Sequence, residues 1–228
     1  MTDCLMCGAA GAPFETPDGK TYLRCGHCAF IWLEPGLRLA RAAERAFYLT
    51  HENRVDDPGY RAFLSRLADP LLKKLTPGMR GLDFGCGPGP ALANMLLDAG
   101  MDMAVYDPAF WPDERWLAQS YDFITCTEVA EHLHAPRAVL ERLWACLEPG
   151  GWLGIMTGLL DDAPAFGTWH YRRDPTHVCF FSRRTFAVWA ESAGGLCEYP
   201  GRNVVLIQKR RVLDTPEDEE SSDKRDKA

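Results

Sequence analysis

A chain of 228 residues, 46% hydrophobic and 25% charged, has room for one full domain and a small appendage. Its formal charge is -7, and the last sixteen residues hold seven acids and three bases, leaving about -3 for the rest. That balance gives the chain no general attraction to nucleic acid. No apolar run reaches the roughly 18 residues of a membrane span. The N-terminus Met1-Thr2-Asp3-Cys4 lacks the basic and apolar regions of a signal peptide. Of nine cysteines, four are paired at metal-ligand spacing and five are scattered among apolar residues. A reduced, cytoplasmic protein is the expectation.

The chain opens on Cys4-x2-Cys7 and Cys25-x2-Cys28, separated by 17 residues. Four thiolates at this spacing suit a tetrahedral zinc, each pair forming a tight knuckle, with Gly8 and Gly26 placed at the turns. Residues 1–34 are too few to bury a core, so a metal would supply their folding energy. Lys20, Arg24 and His27 stand against Asp3, Glu15 and Asp18, which is no basic patch. Residues 35–76 read as a helical connector or lid. Phe63, Leu64, Leu67 and Leu71 recur at helical spacing, and Thr76-Pro77-Gly78 ends the run. Tyr48, His51, Asn53 and Tyr60 are candidates to cover a ligand.

From 77 to 212 the pattern alternates. Gly81 to Cys86 is a predicted strand running into a glycine turn. Pro90 to Ala99 is a helix, and Met103 to Tyr106 and Tyr121 to Thr127 are strands. Ala135 to Leu147 is a helix, Trp152 to Thr157 a strand, and Ser182 caps a helix reaching about Ser192. Leu196 to Tyr199 and Val204 to Gln208 are final strands joined by a short connection, which predicts an antiparallel edge. Strands alternating with helices predict a mainly parallel sheet covered on both faces. Residues 213–228 are acidic and lack apolar anchors, so disorder is expected there.

Strand, glycine loop and helix make a nucleoside- or dinucleotide-binding arrangement. The spacing is Gly85-x-Gly87-x-Gly89, and position 90, where a pyrophosphate fingerprint wants glycine, is proline. Proline offers no amide to a phosphate, which favours a ligand without phosphates. Asp107 follows the next strand, 22 positions beyond Gly85, where a carboxylate can accept both ribose hydroxyls. Asp107-Pro108 also reads as a plain turn.

Asp83-x-Gly85-x-Gly87-x-Gly89, Tyr121-Asp122-Phe123-Ile124-Thr125-Cys126 and Leu147-Glu148-Pro149-Gly150-Gly151-Trp152-Leu153 resemble successive motifs of class I methyltransferases, in order, over about residues 78–160. The resemblance implies an α/β, Rossmann-like sheet of seven strands, the last antiparallel, behind a small N-terminal zinc ribbon. It implies S-adenosylmethionine as cofactor, held at Asp83, Gly85, Cys86, Gly87, Gly89, Asp107, Thr127 and Glu128. One departure is clear. Asp107 to Asp122 is too short for an ordinary third strand and its helix, so that region is abbreviated and the usual acidic residue beside the adenine has no counterpart.

Glu128-x-x-Glu131-His132 follows the cofactor strand directly, with all three on one face of a helical turn. They can hold a divalent metal, supply a general base, or simply begin a helix. The segment resembles one in small-molecule methyltransferases. It also resembles metal-dependent enzymes that methylate the 2'-hydroxyl of small RNAs, and quinone-biosynthetic O-methyltransferases. In those two groups a further histidine joins the metal, here His170 or His177. Trp169 to Phe181 holds two histidines, two arginines and several aromatics, a composition for binding a substrate. His132 or His177 is the expected base, with His170 a third candidate. The leading expectation is methylation of a small-molecule acceptor. The alternatives are metal-dependent 2'-O-methylation of RNA and a non-catalytic adaptor. Neither the acceptor nor the oligomeric state is legible.

Overall fold

The computed structural model of the protein describes residues 2–15, 18–40, 43–44, 47, 54–161 and 163–211. The acidic tail 213–228 and the covering residues Tyr48, His51 and Asn53 lie outside the described residues. Two sheets organise the rest. Among the described residues, no helix is long and apolar enough to cross a membrane.

The larger sheet contains β5 (Arg80–Phe84), β6 (Asp102–Tyr106), β7 (Tyr121–Thr127), β8 (Leu147–Met156), β10 (Gly195–Gly201) and β11 (Val204–Lys209). Their spatial order is β10-β11-β8-β7-β5-β6. β6, β5, β7 and β8 are mutually parallel, and β11 runs antiparallel to β8 and β10. The expected reversed strand is therefore present.

Among the described residues this sheet has six strands rather than the expected seven, and the shortfall falls in the third-strand region expected to be abbreviated. Between Asp107 and Tyr121 the chain makes a hairpin turn, closed by mutual backbone bonds between Asp107 and Trp111 at 2.9 and 3.1 Å, and one short 3-10 turn, Glu114–Ala118. A further parallel strand would need its own length and two crossovers of a dozen or more residues each, and the interval between β6 and β7 is long enough for only one.

Both faces of the sheet are covered, as a parallel sheet requires. α1 (Pro58–Leu72) and α2 (Ala91–Asp98) place Leu64, Leu67, Leu71, Leu92 and Leu96 against Phe123, Met156 and Leu206. α3 (Pro136–Ala145) and α4 (Arg183–Ser192) place Leu140, Leu143, Phe186 and Trp189 on the other side, with Ile155, Val205 and Ile207. Neighbours along β11 thus face opposite cores, the period-2 signature of a strand buried on both sides. Ser182 caps α4 with a complete capping box to Thr185.

The second sheet holds β1 (Thr2–Asp3), β2 (Ala10–Glu15), β3 (Thr21–Cys25), β4 (Ile31–Leu33) and β9 (Cys179–Phe180), in that order and antiparallel throughout. Its last strand belongs to the core segment that follows His177. The cysteine ribbon is therefore built into the larger unit. Tyr22 meets Phe166 at 4.9 Å between ring centroids, and Phe166 meets Phe180 at 5.0 Å, both edge-on. Arg172, almost fully buried, pairs with Asp18 at 2.6 Å.

Candidate active site

A cavity of about 590 Å³ opens at the carboxyl ends of β5, β6 and β7, where a doubly wound sheet places its ligands. Gly85, Cys86, Gly87, Asp107, Thr127 and Glu128 all line it, as expected. Asp83 and Gly89 are not among its lining residues. Asp83 is buried beneath the loop, where its carboxylate accepts a hydrogen bond from Thr125 Oγ1 at 2.7 Å. It supports the loop from below.

Gly85 turns the chain with φ +74°, and a Cβ there would lie 2.3 Å from Val129 Cγ2. Only glycine allows both the turn and that contact. Gly87 also has positive φ, at 66°. Asp107, 9% exposed, accepts from the Gly87 amide at 3.1 Å and from the amides of Ala109 and Phe110 at 2.8 and 3.1 Å. Its turn role and its cavity position are thus one arrangement. Trp111 donates its indole N–H to the Gly87 carbonyl at 3.0 Å, so the turn that replaces the third strand braces the glycine loop. Thr127 Oγ1 is buried with no hydrogen-bond partner. A partnerless hydroxyl, two left-handed glycines and a carboxylate at the end of β6 make a cradle that S-adenosylmethionine fits.

Burial pushes the Asp83 carboxyl up to about 6, with the Thr125 hydrogen bond opposing it. A raised acid pKa stabilises the fold below the unfolded value near 3.9, and that stability is lost as pH rises through the folded value. Asp83→Asn is expected to remove a pH-dependent difference of about 2–3 kcal/mol between pH 4 and 7. Denaturant midpoints of both proteins across that range measure it. Parallel pH profiles would refute the assignment.

The same cavity is lined by Glu128, Glu131, His132 and His177. Glu128 adopts a left-handed backbone, φ 52°, which is costly for a side chain of its size. The turn after it, Ala130–His132, is 3-10 rather than α. Glu131 is fully buried. Its carboxylate accepts from Tyr171 Oη at 2.5 Å and from Thr157 Oγ1 at 2.8 Å. Tyr171 Oη also stands 3.4 Å from Glu128. Burial first, and the neighbouring Glu131 charge second, push the Glu128 carboxyl up to about 8. Burial likewise raises Glu131, opposed chiefly by His177.

His177 Nδ1 lies 2.6 Å from the Tyr171 carbonyl, and His132 Nδ1 lies 3.2 Å from the Thr176 carbonyl. A carbonyl only accepts, so each Nδ1 carries a proton, and each Nε2 stands 3.9 Å from a carboxylate oxygen, Glu131 for His132 and Asp174 for His177. Burial lowers the His177 pKa, which favours the neutral ring. The rings meet edge-on at 4.7 Å.

Glu131, His132 and His177 each offer a ligand atom within 4.8 Å of the others. Of the expected set Glu128, Glu131 and His132 with a further histidine, Glu131, His132 and His177 come together, and Glu128 is not in that group. His170 is corrected too. It is exposed on the 3-10 turn His170–Arg173 and does not line the cavity. Sequence reasoning missed Tyr171 and Thr157 as partners of Glu131.

Cys4, Cys7, Cys25 and Cys28 also converge. Cys4 and Cys28 sulfurs are 3.6 Å apart, Cys7 and Cys25 3.5 Å, and all four lie within 4.8 Å. A zinc tetrahedron with 2.3 Å bonds has edges of about 3.8 Å, so the cluster could hold that ion. The amides of Met6 and Cys28 donate to the sulfurs of Cys4 and Cys25, both at 3.4 Å. The residues with positive φ are Gly8 and Ala29, each directly after the second cysteine of a pair, so Ala29 and not Gly26 matches Gly8.

Residues 56–195 match the model of a family described as methyltransferase domain. The ubiquinone biosynthesis O-methyltransferase of Bordetella avium is 30% identical over 104 residues, covering 35% of this chain and 43% of that protein. Its counterpart in Cronobacter sakazakii is 28% identical over 115 residues, covering 50% and 46%. The chain thus spans less than half the length of these curated relatives. Among solved structures, Burkholderia thailandensis 1,6-didemethyltoxoflavin-N1-methyltransferase, with 1,6-didemethyltoxoflavin and S-adenosylhomocysteine bound, superposes with a TM-score of 0.53. It has 16% identity and covers 87% of this chain and 99% of its own. Human N-acetylserotonin methyltransferase in complex with SAM gives 0.51 and 16%, covering 75% and 57%. At these identities the structural likeness establishes the fold. The family match covers more than half of the sequence, and the chain belongs to the methyltransferase domain family.

Proposed function

We propose that this protein transfers the methyl group of S-adenosylmethionine to a small, uncharged or cationic acceptor, with His177 as the base. One observation carries the reading. A single cavity is lined both by the glycine loop with Asp107 and by two imidazoles whose Nδ1 atoms are held by backbone carbonyls. The same fold in structures holding S-adenosylhomocysteine or S-adenosylmethionine supports the cofactor. The cofactor, when bound, supplies a sulfonium-activated methyl group.

The chain's own residues would do the rest. Asp107 would accept from a ribose hydroxyl, and the Gly85–Gly87 loop would allow close approach of the nucleoside. Tyr60 and Phe63 flank the cavity as an apolar wall. The Tyr171 carbonyl fixes the His177 tautomer, so that Nε2 can take the acceptor's proton as the nucleophile forms. The described lining carries Glu44, Glu128, Glu131, Asp107 and Asp174 and no Lys or Arg. An anionic acceptor, RNA included, would meet repulsion there without a compensating cation.

Calorimetry with S-adenosylmethionine separates an enzyme from a non-catalytic adaptor, which would show no binding. His177→Ala is expected to lower kcat by about 10²–10⁴-fold, the usual size of a general-base contribution, with KM for the cofactor within threefold. Release of S-adenosylhomocysteine across a panel of phenols and amines provides the assay. A kcat near wild type would remove His177 from the chemistry. A second reading is a divalent cation on Glu131, His132 and His177, favoured by their convergence within 4.8 Å. Loss of turnover on chelation, restored by added cation, would select it. The four-cysteine cluster is read as a structural zinc site.

A further inference from the structure

A second cavity, of about 300 Å³, lies in the seam between the ribbon and the core. The ribbon contributes Arg24, Ala29 and Ile31. The core contributes Asp161, Ser182 and Arg184, with Leu160 at its edge. It shares no lining residue with the methyl-transfer cavity.

Its charge is unbalanced. Asp161 is already engaged by Arg183, accepting its amide at 2.9 Å and pairing with its guanidinium. Arg24 Nε is shut off from solvent and has no hydrogen-bond partner. Among the described residues the Arg24 guanidinium has no ion pair, and it stands 6.0 Å over the Phe14 ring. Among the described residues the Arg184 side chain has no ion pair either. Buried polar groups are satisfied in nine cases of ten or more, so a solvent-excluded guanidinium nitrogen beside an open cavity points to a missing acceptor. Ser182 sets the amino end of α4 at the same cavity, which adds the partial positive charge of a ten-residue helix.

We propose that this seam is an oxyanion site for a phosphate group, gripped by Arg24 from the ribbon and Arg184 from the core. Two arginines lining one cavity from different elements suit the several acceptor oxygens of a phosphate. Because each half of the seam supplies one arginine, occupancy would also tie the ribbon to α4. The site is independent of the methyl-transfer reading, so either can fail without the other.

The test is calorimetric titration of the full chain with inorganic phosphate, with glycerol phosphate and acetate as parallel arms. Phosphate is expected to bind and to raise the melting temperature. Arg24→Gln and Arg184→Gln should each weaken binding by about 10-fold, the loss of one charge-assisted contact. S-adenosylhomocysteine affinity should be unchanged in Arg184→Gln. Tighter binding of glycerol phosphate supports the site and identifies a phosphomonoester as its source. Equal binding supports the site with inorganic phosphate as its source. Arg184 is exposed, so Arg184→Gln decides the matter even if Arg24→Gln fails to fold. Absence of phosphate binding up to about 10 mM, undiminished binding in Arg184→Gln, or equal preference for acetate would overturn the proposal.

Discussion

Cys25→Ser is expected to abolish methyl transfer while leaving the cofactor cradle largely intact. The reason is the route by which the ribbon reaches the site. β4 pairs with β9 through Ile31–Phe180 and Trp32–Cys179. The Leu33 amide donates to the Val178 carbonyl at 2.9 Å, and the Val178 amide donates to the Glu131 carbonyl at 2.8 Å. Thr185 Oγ1 donates to the Cys28 carbonyl at 2.9 Å, tying the second knuckle to the first turn of α4. His177 and Glu131, on separate segments, are therefore held in register by a strand whose geometry depends on four cysteines. A structural zinc typically contributes about 10–16 kcal/mol in such small units, more than the net stability of most domains. The variant should lose the proposed zinc, lose near-ultraviolet circular dichroism from the aromatic seam and fall at least about 100-fold in turnover, a displacement of the proposed base by an ångström being enough for that. Binding of S-adenosylhomocysteine should stay within about tenfold, because among the described residues the hydrogen bonds of Gly85, Gly87 and Asp107 run to the core and not to the ribbon sheet. Full turnover in a metal-free variant would show that the ribbon is a passenger.

The features legible in the sequence are those set by local pattern. The paired cysteines, the glycine turn after β5, Asp107 at the end of β6 and the capped α4 each follow from residues a few positions apart. The elements that escaped are long-range. Nothing in Cys179-Phe180 signals that it completes a sheet begun more than a hundred residues earlier. The missing third strand was foreshadowed by chain length alone, but its replacement was not, because the bond from Trp111 to Gly87 arises only in three dimensions. His170 shows the limit of composition. It lies seven positions from His177 in the same aromatic-rich segment, yet the 3-10 turn points it to solvent. Tyr171 carried no signal at all. It matters because its hydroxyl reaches Glu131 while its carbonyl holds His177. The left-handed Glu128 was equally hidden, since that conformation is announced by glycine or asparagine and seldom by glutamate.

Asp107→Ala should be the most damaging single change for cofactor affinity. The carboxylate already accepts three backbone amides, one from the glycine loop and two from the turn that follows. A carboxylate offers about four lone-pair positions, so room remains for a ribose hydroxyl without dismantling the turn. Removing it takes away the ribose contact and releases both Gly87 and the Ala109–Phe110 turn, all of which line the cavity. Two charge-assisted hydrogen bonds at about 1.5–3 kcal/mol each predict a rise of at least about 100-fold in the dissociation constant of S-adenosylhomocysteine. Asp107→Asn keeps one carbonyl oxygen for Ala109 and Phe110 but turns an amide donor toward Gly87 N–H or the ribose. It should fall between alanine and wild type. Titration calorimetry on both variants, with thermal unfolding as the control for folding, measures the series. If alanine binds within threefold of wild type while remaining folded, Asp107 is only a turn residue and the ribose lies elsewhere. The expected order, wild type over asparagine over alanine, would place the ribose on the turn that stands where a third strand would otherwise begin.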